Sequence, residues 1–180
     1  GSLVTKPVDF SSLEKAIDDA TKLASKPSPQ PANYDASTYP YGQCTWFVYN
    51  RALELGVEYG KYMGNGGDWQ LAAGYTVTQT PTLHSAVSFK PGEAGSDPLY
   101  GHVAFVEQVK SDGSILVSES NVKGADVVSY RTFSKSEAST FHYVIGKYTQ
   151  SSVDKLSDAI KDATKVLTDE NAKQSAVDKA

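Results

Sequence analysis

Apolar positions along the chain follow two rhythms. In three stretches they recur every three to four residues, the spacing that puts side chains on one face of a helix. These are Leu13, Ile17, Ala20 and Leu23; Leu156, Ile160, Ala163 and Leu167; and Cys44, Phe47, Val48, Ala52 and Leu55, the last set stopped by Gly56. From residue 86 onward the rhythm changes to short runs rich in β-branched and aromatic residues, at 86–89, 102–109, 115–121, 127–133 and 143–148. Lys110-Ser111-Asp112-Gly113-Ser114 lies between the second and third runs and has the turn chemistry of a hairpin. Helices followed by five consecutive strands predict an α+β domain, with helices packed on an antiparallel sheet.

Aromatic residues and glycines sharpen the boundaries. All 11 tyrosines and both tryptophans lie between Tyr34 and Tyr148; of the phenylalanines only Phe10, and of the glycines only Gly1, fall outside that span. Lys26-Pro27-Ser28-Pro29-Gln30-Pro31 reads as an extended, proline-rich linker. The expected division is a helical arm and linker over 1–32, a catalytic domain over 33–149 and a helical segment over 150–180. The two arms resemble each other: LEKAIDDATKL from Leu13 and LSDAIKDATKV from Leu156 agree at 7 of 11 positions. Ser11-x-x-Glu14 and Ser151-x-x-Asp154 open them with capping signals, and Asn171-x-x-Gln174 predicts a further helix after a break near residues 168–170. A lone amphipathic helix of this length is marginal in water, so each arm needs a partner. That partner is the core, the other arm, or more of a repeat. The stretch from Tyr148 to Ala180 resembles the start of a FIVAR repeat, a small helical bundle found in tandem in Gram-positive surface proteins. The likeness implies additional helical repeats or wall-anchoring domains in the full-length protein.

Charge and composition remove several function classes. With 17 basic against 21 acidic residues the chain is net acidic and has no basic footprint for nucleic acid. No apolar run approaches the length needed for membrane insertion. One cysteine, Cys44, excludes an intrachain disulfide. Cysteine and three scattered histidines make a zinc site improbable, and Asn33-Tyr34-Asp35 and Asp97 lack the alternating oxygen ligands of a calcium loop, so neither metal nor cofactor is expected.

The remaining chemistry gathers around Cys44. It sits where its helix should begin, so free backbone amides and the positive end of the dipole favour a thiolate there. The plain alternative is a small buried hydrophobe. A thiolate nucleophile needs a base that later returns a proton, and His102, at a strand start after Gly101, is the candidate. Alternation puts Ile115, Val117, Glu119 and Asn121 on one strand face. Its polar end would pair with His102 or else sit exposed at the end of the hairpin.

Tyr41-Gly-Gln-Cys-Thr-Trp-Phe-Val-Tyr49, Gly101-His-Val-Ala-Phe-Val-Glu107 and Ser118-Glu-Ser-Asn121, in this order, closely resemble the three signatures of the CHAP family of cysteine- and histidine-dependent amidohydrolases/peptidases. The resemblance spans residues 39–148. It implies a papain-like fold and cleavage of an amide bond of peptidoglycan, in the muramoyl-L-alanine linkage or within the stem or cross-bridge. It further implies Cys44 as nucleophile, His102 as base and then acid, Glu119 as orienter and Asn121 as a polar residue completing the site. The Gln43 side chain and the Cys44 amide would form the oxyanion hole. His84 and Ser85 depart from the family's small residues at that point and are expected to alter one wall of the cleft. A sugar-peptide polymer calls for a groove with flat aromatic rings, for which Tyr41, Trp69, Tyr62 and Tyr130 are the candidates, Trp69 foremost because it follows the flexible loop Gly64-Asn65-Gly66-Gly67-Asp68. The implied setting is secreted, at the cell surface or wall of a Gram-positive bacterium, or a phage lysin. The competing expectation is a wall-binding adhesin module with little or no catalysis.

Overall fold

The computed structural model describes residues 10–15 and 28–179. Residues 11–15 are helical and the first bond runs from the Glu14 amide to the Phe10 carbonyl, so Ser11 lies inside the helix and not at its cap; Ile17, Ala20 and Leu23 of the expected stripe lie outside the described residues. Pro29–Thr149 forms one compact unit, and the described terminal residues fall in a second.

The first unit holds helix α1 (Cys44–Glu54) and strands β1 (Val57–Glu58), β2 (Thr76–Thr78), β3 (Ala86–Phe89), β4 (His102–Val109), β5 (Ile115–Ser120) and β6 (Val128–Phe133). The short helix α2 (Lys135–Ala138), β7 (His142–Ile145) and β8 (Lys147–Tyr148) complete it. Six strands make an antiparallel sheet in the order β2-β7-β3-β4-β5-β6, and β1 pairs with β8 in a separate ribbon. The expected α+β architecture is present.

Register decides which side chains share a face. Val87 pairs with Ala104, Phe89 with His102 and Val106 with Val117, so these six point one way, into a core with Ile115, Phe133 and Phe141. Their neighbours Ala86, Val103 and Phe105 point the other way, against Trp46, Phe47, Val48 and Ala52 of α1. Both faces are therefore dry. Truncating a ring such as Phe105 to alanine would cost about 3–5 kcal/mol.

Four expectations need correction. The run 143–148 is two strands, because Gly146 lies where a Cβ would come within 2.3 Å of Val57 Cγ1, and the chain leaves one sheet for the other there. Strand β2 went unpredicted because Thr76-Val77-Thr78 is three residues long and too short to show alternation. The loop at Gly64–Asp68 is structured: Gly66–Leu71 is a 3-10 turn in which Asp68 Oδ2 accepts the Asn65 amide at 2.9 Å. In the second unit, α3 (Gln150–Lys179) runs unbroken through residues 168–170. That stretch contains no glycine or proline, and the Thr168 hydroxyl is absorbed by the Thr164 carbonyl one turn earlier, at 2.9 Å.

Candidate active site

Cys44 is delivered by a turn and a helix start. The Gly42 carbonyl accepts the Ser120 hydroxyl and the Asp126 amide, both at 2.9 Å, which fixes the turn against the end of β5. Gln43 is extended and its carbonyl receives the first helical bond, from the Phe47 amide at 3.1 Å. Cys44 is therefore the first residue of α1, with first-turn amides that have no intrahelical acceptor beside it. The thiol is free and half-buried.

His102 opens β4 on the opposite face of the sheet from the body of α1, and the two meet at the strand end. Its seat is main chain. A Cβ at Gly66 would lie 2.4 Å from the His102 carbonyl carbon, and one at Gly101 2.3 Å from the Phe89 carbonyl oxygen. The Phe89 ring stacks on the imidazole with centroids 5.9 Å apart. Glu119, on the same face of β5 and wholly buried, accepts from His102 Nε2 at 2.9 Å, leaving Nδ1 for Cys44.

Electrostatics bind this line together. Burial alone would lower the His102 pKa, but hydrogen bonding and charge attraction from Cys44 and Glu119 outweigh it and push it up to about 9. Burial pushes the Glu119 carboxyl up, and hydrogen bonds from His102 and Arg131 with their charges reverse the sign and hold it below the usual range. The imidazole thus favours its cationic form next to a sulfur at a helix N-terminus, an arrangement suited to nucleophilic attack on a carbonyl followed by proton return.

Gln43 and Asn121 form a second pair, in which Asn121 Nδ2 donates to Gln43 Oε1 at 2.7 Å. With its oxygen occupied, the Gln43 amide has Nε2 left as a donor. Asn121 does not continue the strand face as expected. β5 ends at Ser120, and Asn121 turns to φ 66, a left-handed conformation that asparagine tolerates.

A cleft of about 570 Å³ runs over these groups, lined by Gln43, Cys44, His102, Asn121, Arg131 and Asp97 among others. The aromatic candidates fare differently. Trp69 is fully buried, packed on Tyr39 and Tyr59, so it is core and not a surface contact. Tyr62 is exposed but faces a separate groove with Leu71 and Tyr75. Tyr41 and Tyr130 are exposed, yet neither lines the cleft; the Tyr41 hydroxyl donates to Asp126. His84 and Ser85 do not form a cleft wall: His84 stacks on Phe105, and Ser85 is buried with its hydroxyl on the Thr82 carbonyl.

Two residues escaped sequence reasoning. Ser120 holds the turn before Cys44, and nothing in its spacing marks it. Arg131 reaches both oxygens of Glu119. Ser129, Arg131 and Phe133 alternate onto the core-facing side of β6, and a charge in such a row was the available signal. Among the described residues no cluster of three or more histidine, cysteine, aspartate or glutamate side chains could hold a metal ion.

Residues 34–121 match the family model described as the CHAP domain. The chain is 42% identical over 142 residues to an N-acetylmuramoyl-L-alanine amidase domain-containing protein of Staphylococcus aureus, covering 77% of this chain and 23% of that protein. It is 37% identical over 113 residues to the N-acetylmuramoyl-L-alanine amidase sle1 of Staphylococcus saprophyticus, covering 61% of this chain and 33% of that one. A crystal structure of an N-acetylmuramoyl-L-alanine amidase from Staphylococcus aureus superimposes with a TM-score of 0.63 at 46% identity, over 67% of this chain and 35% of the other. The chain thus spans between 23% and 33% of the length of these two curated relatives. With the cysteine, the histidine and the glutamate all inside the matched span, residues 34–121 belong to the CHAP domain family.

Proposed function

We propose that this chain hydrolyses an amide bond of peptidoglycan with Cys44 as nucleophile. The observation that carries the reading is the continuous line from Cys44 through the His102 imidazole to the buried Glu119 carboxylate. The Cys44 thiolate attacks the carbonyl carbon, and the oxygen takes up the negative charge against the Cys44 backbone amide and Gln43 Nε2. Collapse of that intermediate breaks the C–N bond, and imidazolium His102 gives its proton to the departing amine. Neutral His102 then takes a proton from water, whose oxygen attacks the thioester; a carboxylic acid leaves and the thiol is regenerated.

The names of the relatives favour the bond between N-acetylmuramic acid and L-alanine over bonds within the stem or cross-bridge. The same relatives favour a secreted or wall-associated setting in a Gram-positive bacterium. There the helical flanks, read as FIVAR-like repeats joined to further domains, would space the catalytic unit from its anchor. Cys44→Ala should abolish clearing of purified staphylococcal sacculi, and retained clearing would defeat the reading. Mass spectrometry of the digest should find new free L-alanine amino groups; new amines only at other residues would move the cut into the stem or bridge.

A further inference from the structure

We propose that Arg131 is a positioning residue of this site, clamping both oxygens of Glu119 so that the carboxylate stays ionised and presents Oε1 to His102. The proposal rests on the catalytic reading of Cys44 and His102 and extends the line by one member.

The geometry is specific. Arg131 Nε donates to Glu119 Oε2 at 2.5 Å and Nη2 donates to Oε1 at 2.8 Å, the two-point fork that a guanidinium makes with a carboxylate. Oε1 is the oxygen that also accepts from His102 Nε2, so the clamp fixes the very atom that orients the imidazole. Arg131 is itself held on three sides. Its Nη1 donates to the Ala94 carbonyl at 2.8 Å, and the guanidinium lies over the rings of Phe133 and Phe89, 4.9 and 5.7 Å from their centroids. Phe89 stacks on His102 as well, so one ring supports both cations flanking Glu119.

Charge makes the clamp necessary. A wholly buried carboxylate needs a cation, and in the reactive state His102 is already committed to the thiolate. With Arg131 present, two anions (thiolate and carboxylate) face two cations (imidazolium and guanidinium). Without it, one imidazolium would have to serve both anions. The other titratable groups at the cleft are Asp97, in the turn that follows Ala94, and Tyr39 and Tyr100. The Asp97 carboxylate accepts the backbone amides of Leu99 and Tyr100, both at 2.8 Å, while Arg131 is engaged with Glu119 and the Ala94 carbonyl.

Losing a fixed cation raises the pH at which every neighbouring acid ionises. The test is the pH dependence of Cys44 alkylation by iodoacetamide, measured on the full chain alongside kcat and KM on sacculi. Arg131→Met should move the alkylation profile to higher pH by about one unit. Arg131→Lys keeps the charge but not the fork. It should move the profile by less and lower kcat about tenfold with KM unchanged. An Arg131→Met protein with the parent's alkylation profile would overturn the proposal. If Arg131→Met does not fold, Arg131→Lys decides, and a parental kcat there would overturn it. Alkylation needs no substrate. A parent protein that alkylates normally but leaves sacculi intact would therefore sink the hydrolase reading and leave the Arg131 assignment to its own result.

Discussion

Two arginine–glutamate forks sit on opposite faces of the same pair of strands, and they serve different ends. On the α1 face, Arg51 donates through Nε and Nη2 to Glu107 at 2.9 and 3.0 Å, and through Nη1 to Glu54 at 3.1 Å. The Ser118 hydroxyl adds a bond to Glu107 at 2.6 Å, and the Tyr34 hydroxyl donates to Glu54. No partner in this network is an imidazole or a thiol, and the bonds fasten the helix to the sheet. On the other face, the Arg131–Glu119 fork hands its remaining acceptor to an imidazole. The pairing chemistry is the same; the third partner differs, a second carboxylate in one network and an imidazole in the other.

The contrast is breakable in a definite order. His102→Ala should have the largest effect, lowering sacculus hydrolysis by about 10²–10⁴-fold, with a fall in melting temperature that shrinks as pH rises through about 9. Arg51→Met should act on stability alone. Stranding the partly buried Glu107 and Glu54 should cost about 1–3 kcal/mol, read as a fall in Tm, while the pH profile of the surviving activity keeps its shape. Glu119→Gln keeps the shape of the side chain and removes its charge, and turnover should drop by about tenfold or more, less than for His102→Ala, because nucleophile and base remain.

The smallest effect is one of linkage. His102 is raised to about 9 in the folded chain against an ordinary value near 6.5. Its stabilising contribution is therefore complete below about pH 6.5 and is lost as pH rises through about 9. The Tm gap between the parent and His102→Gln should close over that window. The gap between the parent and Arg51→Met should stay flat across it, since burial alone would lower the Arg51 pKa but its bonds to Glu107 and Glu54 raise it overall. A His102→Gln gap that widened with pH would contradict the pairing described for the imidazole.

Helix α1 and strands β3 to β5 were legible because their signals are local: a stop at Gly56, an apolar run at 86–89, and an Asp112-Gly113 turn. Cys44 and His102 stood out because each is an ionisable group at the edge of an apolar run. What stayed hidden depends on register. Arg131 acquires its meaning only when β6 pairs with β5 so that Arg131 lies opposite Val117 and beside Glu119. Trp69 misled because a tryptophan after glycines looks like a surface platform, whereas those glycines lack side chains so that the turn can press on the backbone of β4. The break expected in α3 failed for the opposite reason, since a polar patch without glycine or proline has nothing to stop a helix.

The seat of His102 on main-chain atoms has one more consequence. Gly66 and Gly101 touch peptide groups, so main-chain packing sets the backbone of His102, while its ring depends on Phe89 and Glu119. The cleft rim is tied to that seat, since the Asp97 carbonyl accepts the Gly101 amide at 2.9 Å.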